Sequence, residues 1–183
     1  MKVFDLETDG LLPELTKIHC MTIADLETGQ RWRFNDALAT DIPNFAGTIS
    51  DGLDMLEEAE HIAGHNIIRF DLPAIRKLRP SFTHGKVHDT MVYARVLWPD
   101  IKQRDYARLK KKGRNPELSS VVGKHTLKAW GIRLGKYKGD YDGGWEHWNY
   151  DMDHYCDQDV TVTYELLQQI TKVVPEWKEG GYR

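Results

Sequence analysis

Hydrophobic and polar positions along the first half of the chain predict strands before helices. Residues 2–6 form a short apolar strand, and 18–26 and 30–34 flank the turn Glu27-Thr28-Gly29 as a hairpin. Helical spacing follows at 50–60, then a brief apolar strand at 61–66. A helix is predicted at 71–79, because Pro73 falls in its first turn and Pro80 lies just past its end.

The second half alternates one more strand with helices. Residues 86–88 are a candidate strand, and Asp89 with Thr90 is typical of the start of a helix that runs to 98. The stretch 99–123 has no apolar period and predicts a long irregular connection, either mobile or functional. A helix is expected at 126–131, and the Gly-rich, aromatic stretch after it is interpreted as a packed loop.

The chain ends in a long predicted helix at 151–174. Its expected buried stripe is Tyr155, Val162, Leu166, Ile170 and Val173. Four aromatic residues before it are interpreted as packing residues: Trp130, Tyr137, Trp145 and Trp148. Antiparallel strands followed by strands alternating with helices predict an α/β fold, a mixed sheet with flanking helices. We expect residues 1–183 to form one domain.

Composition narrows the class of protein. The 183 residues are 40% hydrophobic and 29% charged, which suits one compact domain with a buried core. Cys20 and Cys156 do not suggest a disulfide scaffold, so both are expected as reduced thiols. Acidic residues lie among the first ten positions, where a signal peptide needs an apolar run. No apolar stretch is long enough to span a membrane. We expect a soluble cytoplasmic protein without a membrane partner.

Charge is distributed unevenly. The net charge of −3 argues against a surface that binds nucleic acid everywhere, because Lys and Arg lead phosphate binding. One segment is nevertheless strongly basic, with Asp105 as its single acid. Its basic and aromatic residues are Lys102, Arg104, Tyr106, Arg108, Lys110, Lys111, Lys112 and Arg114. Such a run is either a solvated surface or a contact for phosphates.

Candidate chemistry begins on the first strand. Asp5 and Glu7 are two positions apart, so both side chains project from one face while Leu6 points to the other. Acidic residues are depleted inside sheets, and two buried carboxylates are costly without a cation. The alternative is an edge strand with solvated acids.

Two further segments add carboxylates. Asp71 ends the run Asn66-Ile67-Ile68-Arg69-Phe70-Asp71, where it fits either a helix N-cap or a ligand that faces the sheet. Tyr155 and Asp159 are four positions apart, so a helix places the phenol and the carboxylate on one face. A tyrosine at this spacing also suits a core position.

Together, Asp5, Glu7, Asp71 and Asp159 are hard oxygen ligands of the kind that Mg²⁺ and Mn²⁺ prefer. Two such ions can stabilise both the attacking and the leaving oxygen of a phosphoryl displacement. That chemistry needs no nucleophilic side chain, and no convincing Ser/His/Asp or Cys/His arrangement is present. The sequence therefore predicts a two-metal phosphodiesterase with two Mg²⁺ or Mn²⁺ ions as cofactors.

The three motifs, in this order, resemble the DnaQ-like (DEDDy) 3′-to-5′ exonucleases of the RNase H-like superfamily. The matching patterns are D-x-E at 5–7, N-x-x-x-[FY]-D at 66–71 and Y-x-x-x-D at 155–159. Longer segments, at 7–11, 65–75, 88–97 and 125–141, look like the proofreading domain of phage-type family A DNA polymerases. The resemblance implies an RNase H-like sheet of three antiparallel strands followed by parallel strands.

The resemblance also implies roles. Asp5, Glu7 and Asp159 would hold the tighter metal, Asp71 the second, and Tyr155 would orient the attacking water. Thr8, Leu11, Asn66 and Phe70 match positions that contact the 3′-terminal nucleotide, and the basic segment becomes a candidate track for single-stranded DNA.

The implied function is removal of nucleoside 5′-monophosphates from single-stranded or frayed DNA 3′ ends. A polymerase domain or replication protein is a possible partner, in the host cytoplasm if the chain is phage-encoded. Two alternatives stay open: a catalytically idle module that binds DNA or docks on a polymerase, and a 3′-to-5′ exoribonuclease.

Overall fold

A computed structural model describes residues 1–113, 115–137, 139–178 and 180. Six strands form one sheet in the order β4-β3-β2-β1-β5-β6. The strands are β1 Lys2–Thr8, β2 Ile18–Asp25, β3 Arg31–Asn35, β4 Phe45–Gly47, β5 His61–Gly64 and β6 Lys86–Asp89. The first three pair antiparallel, whereas β5 pairs parallel with both β1 and β6. The predicted mixed α/β sheet is confirmed.

Seven helices connect and cover the strands within the described residues. They are α1 Ile49–Glu57, α2 Asp71–Leu78, α3 Thr90–Leu97, α4 Ile101–Lys112, α5 Pro116–Ser120, α6 Leu127–Leu134 and α7 Tyr150–Val173, and a short 3₁₀ turn follows at Pro175–Lys178. None of the helices in these residues is both long enough and apolar enough to cross a membrane.

Side chains along β1 alternate between the two faces of the sheet, and each face has its own hydrophobic layer. Phe4 and Leu6 are buried on one face, in a cluster that includes residues of α1 and α2. Val3 is buried on the other face, in a cluster with Val160 and Leu167 of α7. Because side chains alternate along a strand, Asp5 and Glu7 share the face of Val3, which is covered by α7.

The basic stretch was predicted as an irregular connection, and this prediction is wrong. It forms α4, and α5 follows it. Ile101 and Asp105 are buried four positions apart, which gives α4 an inward face. The pattern is hidden because Asp105 is acidic. It is buried in an ion pair with Arg133 of α6, with an N–O distance of 2.8 Å.

Smaller differences concern α7 and the sheet edge. Val162, Leu166 and Ile170 are buried as expected, but Val173 is 58% exposed because it lies at the last residue of α7. Tyr155 is partly buried. The edge strand β4 has three residues, too few for a period to be visible in the sequence.

Asp89 fixes the position of the turn that follows β5. Its carboxylate accepts the N–H groups of Met91 and Val92 at the start of α3, as expected for an N-cap. It also accepts the N–H groups of Asn66, at 3.0 Å, and Ile68, at 3.2 Å. A single buried side chain therefore joins the start of α3 to the 66–70 turn.

We predict that Asp89→Ala lowers the free energy of unfolding by at least about 3 kcal/mol, because it removes the acceptor of several buried N–H groups. Denaturant unfolding measures the change.

Asp100→Ala is the matched control. Asp100 holds the N-cap position of α4, makes no capping hydrogen bond, and its ion pair with Arg104 is about half exposed. Its cost should be below about 1 kcal/mol. Equal losses in the two variants would contradict the role given to Asp89.

Candidate active site

The carboxyl end of β1 presents the first two acids. Asp5 is partly buried and Glu7 is 9% exposed. Oxygen atoms of both lie within 4.8 Å of each other and of the Cys156 sulfur on α7. The Cys156 thiol donates to the Asp5 carbonyl oxygen at 3.4 Å, and burial raises the pKa of this thiol well above its usual value. Cys156 is therefore a neutral packing neighbour, and the carboxylates are the ligands in this group.

Asp71 is the first residue of α2, directly after the 66–70 turn. Of the two roles considered for it, the N-cap does not occur. Phe70 holds the cap position, and no side chain makes a capping hydrogen bond there. Asn66 starts the turn with a φ of 67°, a left-handed conformation that asparagine tolerates better than most residues. The turn leaves the Asp71 side chain 5% exposed, beside the end of β1.

Helix α7 supplies Tyr155 and Asp159, which interact through the phenol and the carboxylate. Asp157, two residues before Asp159, points away and forms an ion pair with Arg31 at 2.6 Å. Helical spacing on α7 thus directs Asp159 into the cleft and Asp157 into the ion pair with Arg31.

All four acids, Tyr155, Asn66 and Phe70 line one open cleft of about 300 Å³. It lies beside the carboxyl ends of β1 and β5, which is where ligands bind in open α/β sheets. A cleft of similar size, about 310 Å³, lies at the other end of these strands beside Met1 and His61. That cleft brings no comparable set of ligands together.

Burial raises the pKa of all four carboxyls above their usual values. Burial raises the pKa of Asp5 and Glu7 well above their usual values, and repulsion from the neighbouring carboxylates adds to it. Burial also raises the pKa of Asp71 and of Asp159 to about 7. No Lys, Arg or His in the described residues forms an ion pair with any of these acids.

This donor set fits hard divalent cations. Buried like charges that lack a basic partner are costly, and a bound cation removes that cost. Oxygen-only ligands favour Mg²⁺ or Mn²⁺ over softer metals. Asp5, Glu7, Asp71 and Asp159 are therefore the residues that would hold such ions.

The other predicted contacts lie outside the lining of the cleft. Thr8 is buried, and its hydroxyl donates to the Gly10 carbonyl oxygen at 2.7 Å. Leu11 is 73% exposed in the segment after β1.

The basic residues of α4 also lie away from the cleft lining. Lys102, Arg104, Tyr106, Arg108, Lys110 and Lys111 are exposed. Arg114 and the Lys112 side chain lie outside the described residues.

Sequence reasoning missed several residues of the cleft. Trp145 was interpreted as a packing residue, but it is 40% exposed and lines the cleft. The loop that carries it has no period, so nothing in the sequence distinguished an exposed aromatic from a buried one. His65, Met91, Thr126 and Leu127 also line the cleft.

His65 is a neutral structural member of this wall. Its ring nitrogens bond the Thr90 hydroxyl at 2.8 Å and the His125 carbonyl oxygen at 2.9 Å. Burial lowers its pKa to about 4. At neutral pH it therefore supplies no positive charge to the carboxylates.

In the absence of divalent cations, we predict that the free energy of unfolding falls between about pH 6.5 and 8. A carboxyl whose pKa is higher in the folded chain than in the unfolded chain binds more protons when folded. The free energy of unfolding therefore falls as the pH rises, until the pH passes the pKa of the folded chain. The buried histidines act oppositely, but only below about pH 6.5. The melting temperature in EDTA should fall by about 3–6 °C across this range.

Asp159→Asn is the matched variant, because it removes one of the titrating groups at constant size. Its melting temperature should change less with pH than that of the wild type. A wild-type melting temperature that rises from pH 6.5 to 8, or an unchanged slope in the variant, would contradict the geometry.

Comparisons with known proteins relate this chain to phage polymerases. No protein-family model matches it. It is 31% identical over 195 residues to the DNA-directed DNA polymerases of Enterobacteria phage T3 and Escherichia phage T7. Each alignment covers 93% of this chain and 26% of the polymerase, so the chain spans about a quarter of the length of these relatives.

Solved structures of nucleases share the fold. Exonuclease X in complex with 5′ overhanging duplex DNA has a TM-score of 0.52 and 19% identity, over 95% of this chain and 92% of that one. NrnC of Brucella melitensis bound to pGG has a TM-score of 0.60 and 17% identity, over 98% and 74%. The chain is thus homologous to part of the phage T3 and T7 DNA polymerases, and it has the RNase H-like fold of the DnaQ-like exonucleases.

Proposed function

We propose that this chain is a metal-dependent 3′-to-5′ exonuclease that hydrolyses terminal phosphodiester bonds of DNA and releases nucleoside 5′-monophosphates. One observation carries the proposal: four carboxylates from β1, α2 and α7 line one cleft, with no basic partner among the described residues. The relation to phage DNA polymerases supports a nuclease that acts on DNA.

The acids have different places in the proposed site. Asp5, Glu7 and Asp159 would share one ion, and Asp71, which also neighbours Asp5, would serve a second. Two bound Mg²⁺ or Mn²⁺ ions would supply charge stabilisation for the attacking and the leaving oxygen of an in-line displacement. The carboxylates are carried by a strand and two helices, which position a site more precisely than loops do.

Tyr155 and Glu7 are the proposed holders of the attacking water. The phenol lies beside Asp159 and near Glu7, and burial raises its pKa above the usual value. Tyr155 therefore stays protonated at neutral pH, and while its hydroxyl donates to Asp159 its oxygen can accept a hydrogen from the water. The Glu7 carboxylate can accept a hydrogen from that water and orient it towards the phosphorus.

The cleft suits a chain end better than the middle of a duplex. Its volume of about 300 Å³ is at the lower end of the range for small-molecule sites, enough for a terminal nucleotide. Asn66 and Phe70 line it and are proposed contacts for that nucleotide. Thr8 and Leu11, beyond the lining, are proposed contacts at its rim, where the exposed Leu11 could wedge against the last base. An unpaired end enters without the cost of melting, so single-stranded or frayed DNA is the proposed substrate.

Helix α4 is the proposed track for the rest of the strand. The Gly123 N–H donates to Asp105 of α4 at 3.0 Å, and Thr126, three residues after Gly123, lines the cleft, so a short segment connects α4 to the cleft. Arg104 is partly neutralised by Asp100. Among the described residues, Lys102, Arg108, Lys110 and Lys111 form no ion pair, so they and the exposed Tyr106 can approach phosphates and bases. We propose that residues 1–183 act together as one exonuclease domain.

Matched DNA and RNA oligonucleotides, each labelled at the 5′ end, test this function in Mg²⁺ and in Mn²⁺. We expect a ladder that shortens stepwise from the 3′ end of the DNA, and no cleavage in EDTA. Faster cleavage of RNA would reassign the chain to the exoribonucleases. Labelled strands that stay at full length in every reaction would indicate the catalytically idle binding module.

Acid substitutions separate the cleft from the surface in the same assay. Asp5→Ala and Asp159→Ala should abolish the ladder while the far-UV circular dichroism is unchanged. Asp157→Ala, which removes the partly buried ion pair with Arg31, should retain activity within about threefold, since Asp157 does not line the cleft. Substantial cleavage by Asp159→Ala in saturating Mn²⁺ would exclude the proposed site.

A further inference from the structure

The loop between α6 and α7 brings an exposed tryptophan to the cleft. Trp145 lines the same cleft as the four carboxylates, and 40% of the residue is exposed. By contrast, Trp130 of the nearby α6 is 5% exposed. A large aromatic ring left open to water stabilises the fold less than a buried one, so the exposure of Trp145 calls for a partner.

The loop holds its backbone firmly while the ring stays open. His19 bonds the Trp145 carbonyl oxygen through Nε2 at 2.8 Å. The Tyr141 hydroxyl donates to the Gly144 carbonyl oxygen at 2.6 Å and accepts from the Asn149 side chain at 2.7 Å. The Tyr141 ring meets the Trp145 ring edge to face, with centroids 4.8 Å apart. Trp145 is therefore fixed in place before any ligand arrives.

The cleft around Trp145 has groups suited to both the phosphate and the base of a nucleotide. Carboxylates that can bind metal ions, and through them phosphate, lie on β1, α2 and α7. Apolar side chains of Phe70, Met91 and Leu127 line the same cleft together with Trp145. A strand whose phosphate lies at the carboxylates thus has its bases within this apolar part of the cleft.

We infer that Trp145 is a substrate-binding residue that stacks on a nucleobase near the 3′ end of the bound strand. The inference rests on the proposed nuclease function and specifies how that site holds its substrate. Stacking tolerates any base, because each base has a π face, so Trp145 increases affinity without selecting sequence. The Tyr141 ring lies between Trp145 and Tyr155, at 4.8 and 5.9 Å from them, so the platform adjoins the proposed water-holding phenol.

Fluorescence anisotropy with short 5′-labelled DNA strands tests the inference. Binding is measured in Ca²⁺, with intact DNA verified on a gel, and cleavage is measured separately in Mn²⁺. The strands carry either all their bases or one abasic nucleotide at the first, second or third position from the 3′ end. Trp145→Ala should weaken binding of the complete strand about tenfold. At one abasic position the wild type and Trp145→Ala should bind within about twofold of each other.

Two further variants separate stacking from folding. Trp145→Phe keeps an aromatic face and should recover most of the affinity. Tyr150→Ala removes another exposed aromatic, 55% exposed and outside the cleft lining, and should bind as the wild type does.

Equal losses for Trp145→Ala on every strand, complete or abasic, would overturn the inference, and so would binding unchanged from the wild type. If the wild type binds but does not cleave, the proposed function fails and the stacking result still stands. If the wild type cleaves and Trp145→Ala matches it on all strands, only the stacking fails.

Discussion

Repulsion among the buried carboxylates at the carboxyl end of β1 is the constraint on which the rest of the site depends. Asp5, Glu7, Asp71 and Asp159 lie in one cleft, and each pKa is raised by burial, with mutual repulsion prominent for Asp5 and Glu7. A fold selected for stability alone would place a lysine or arginine among them. The described chain does form such pairs elsewhere, as between Asp105 and Arg133 or Asp153 and Arg33. Leaving these four acids without a basic partner among the described residues sacrifices stability, which the proposed cations would restore.

The surrounding structure holds the acids against this repulsion. Asp5 and Glu7 are fixed by β1, which pairs with β2 at both residues and with β5 at Lys2 and Val3. Asp159 is fixed by a long helix with two buried layers of contacts. Asp71 depends on a turn whose backbone is fastened to Asp89 at the start of α3. The loop between α6 and α7, which carries Trp145 to the cleft, is held by hydrogen bonds of His19 and Tyr141.

The sequence was sufficient to predict the mixed sheet and its first three antiparallel strands, because these depend on period-2 alternation and on turn signals. The four acids that line the cleft were identified from three ordered motifs rather than from any single pattern. It was insufficient where a polar residue is buried or an apolar residue is exposed. Helix α4 was missed because its inward face includes Asp105, whose burial depends on Arg133, 28 residues away. Trp145 was placed in the core because its exposure is set by contacts with His19 and Tyr141 rather than by its neighbours in the chain. The roles of the individual site residues depend on ions and substrate, and they remain proposals.

The central claim is that the four acids form one binding site for two divalent cations. Isothermal titration of Mn²⁺ into the metal-free protein at about pH 7.5, with stoichiometry verified by electron paramagnetic resonance, tests it most directly. We expect two ions per chain for the wild type, at most one for Asp5→Asn, and two for Asp157→Asn, because Asp157 pairs with Arg31. Wild-type protein that binds no Mn²⁺, or a stoichiometry that Asp5→Asn leaves unchanged, would contradict it.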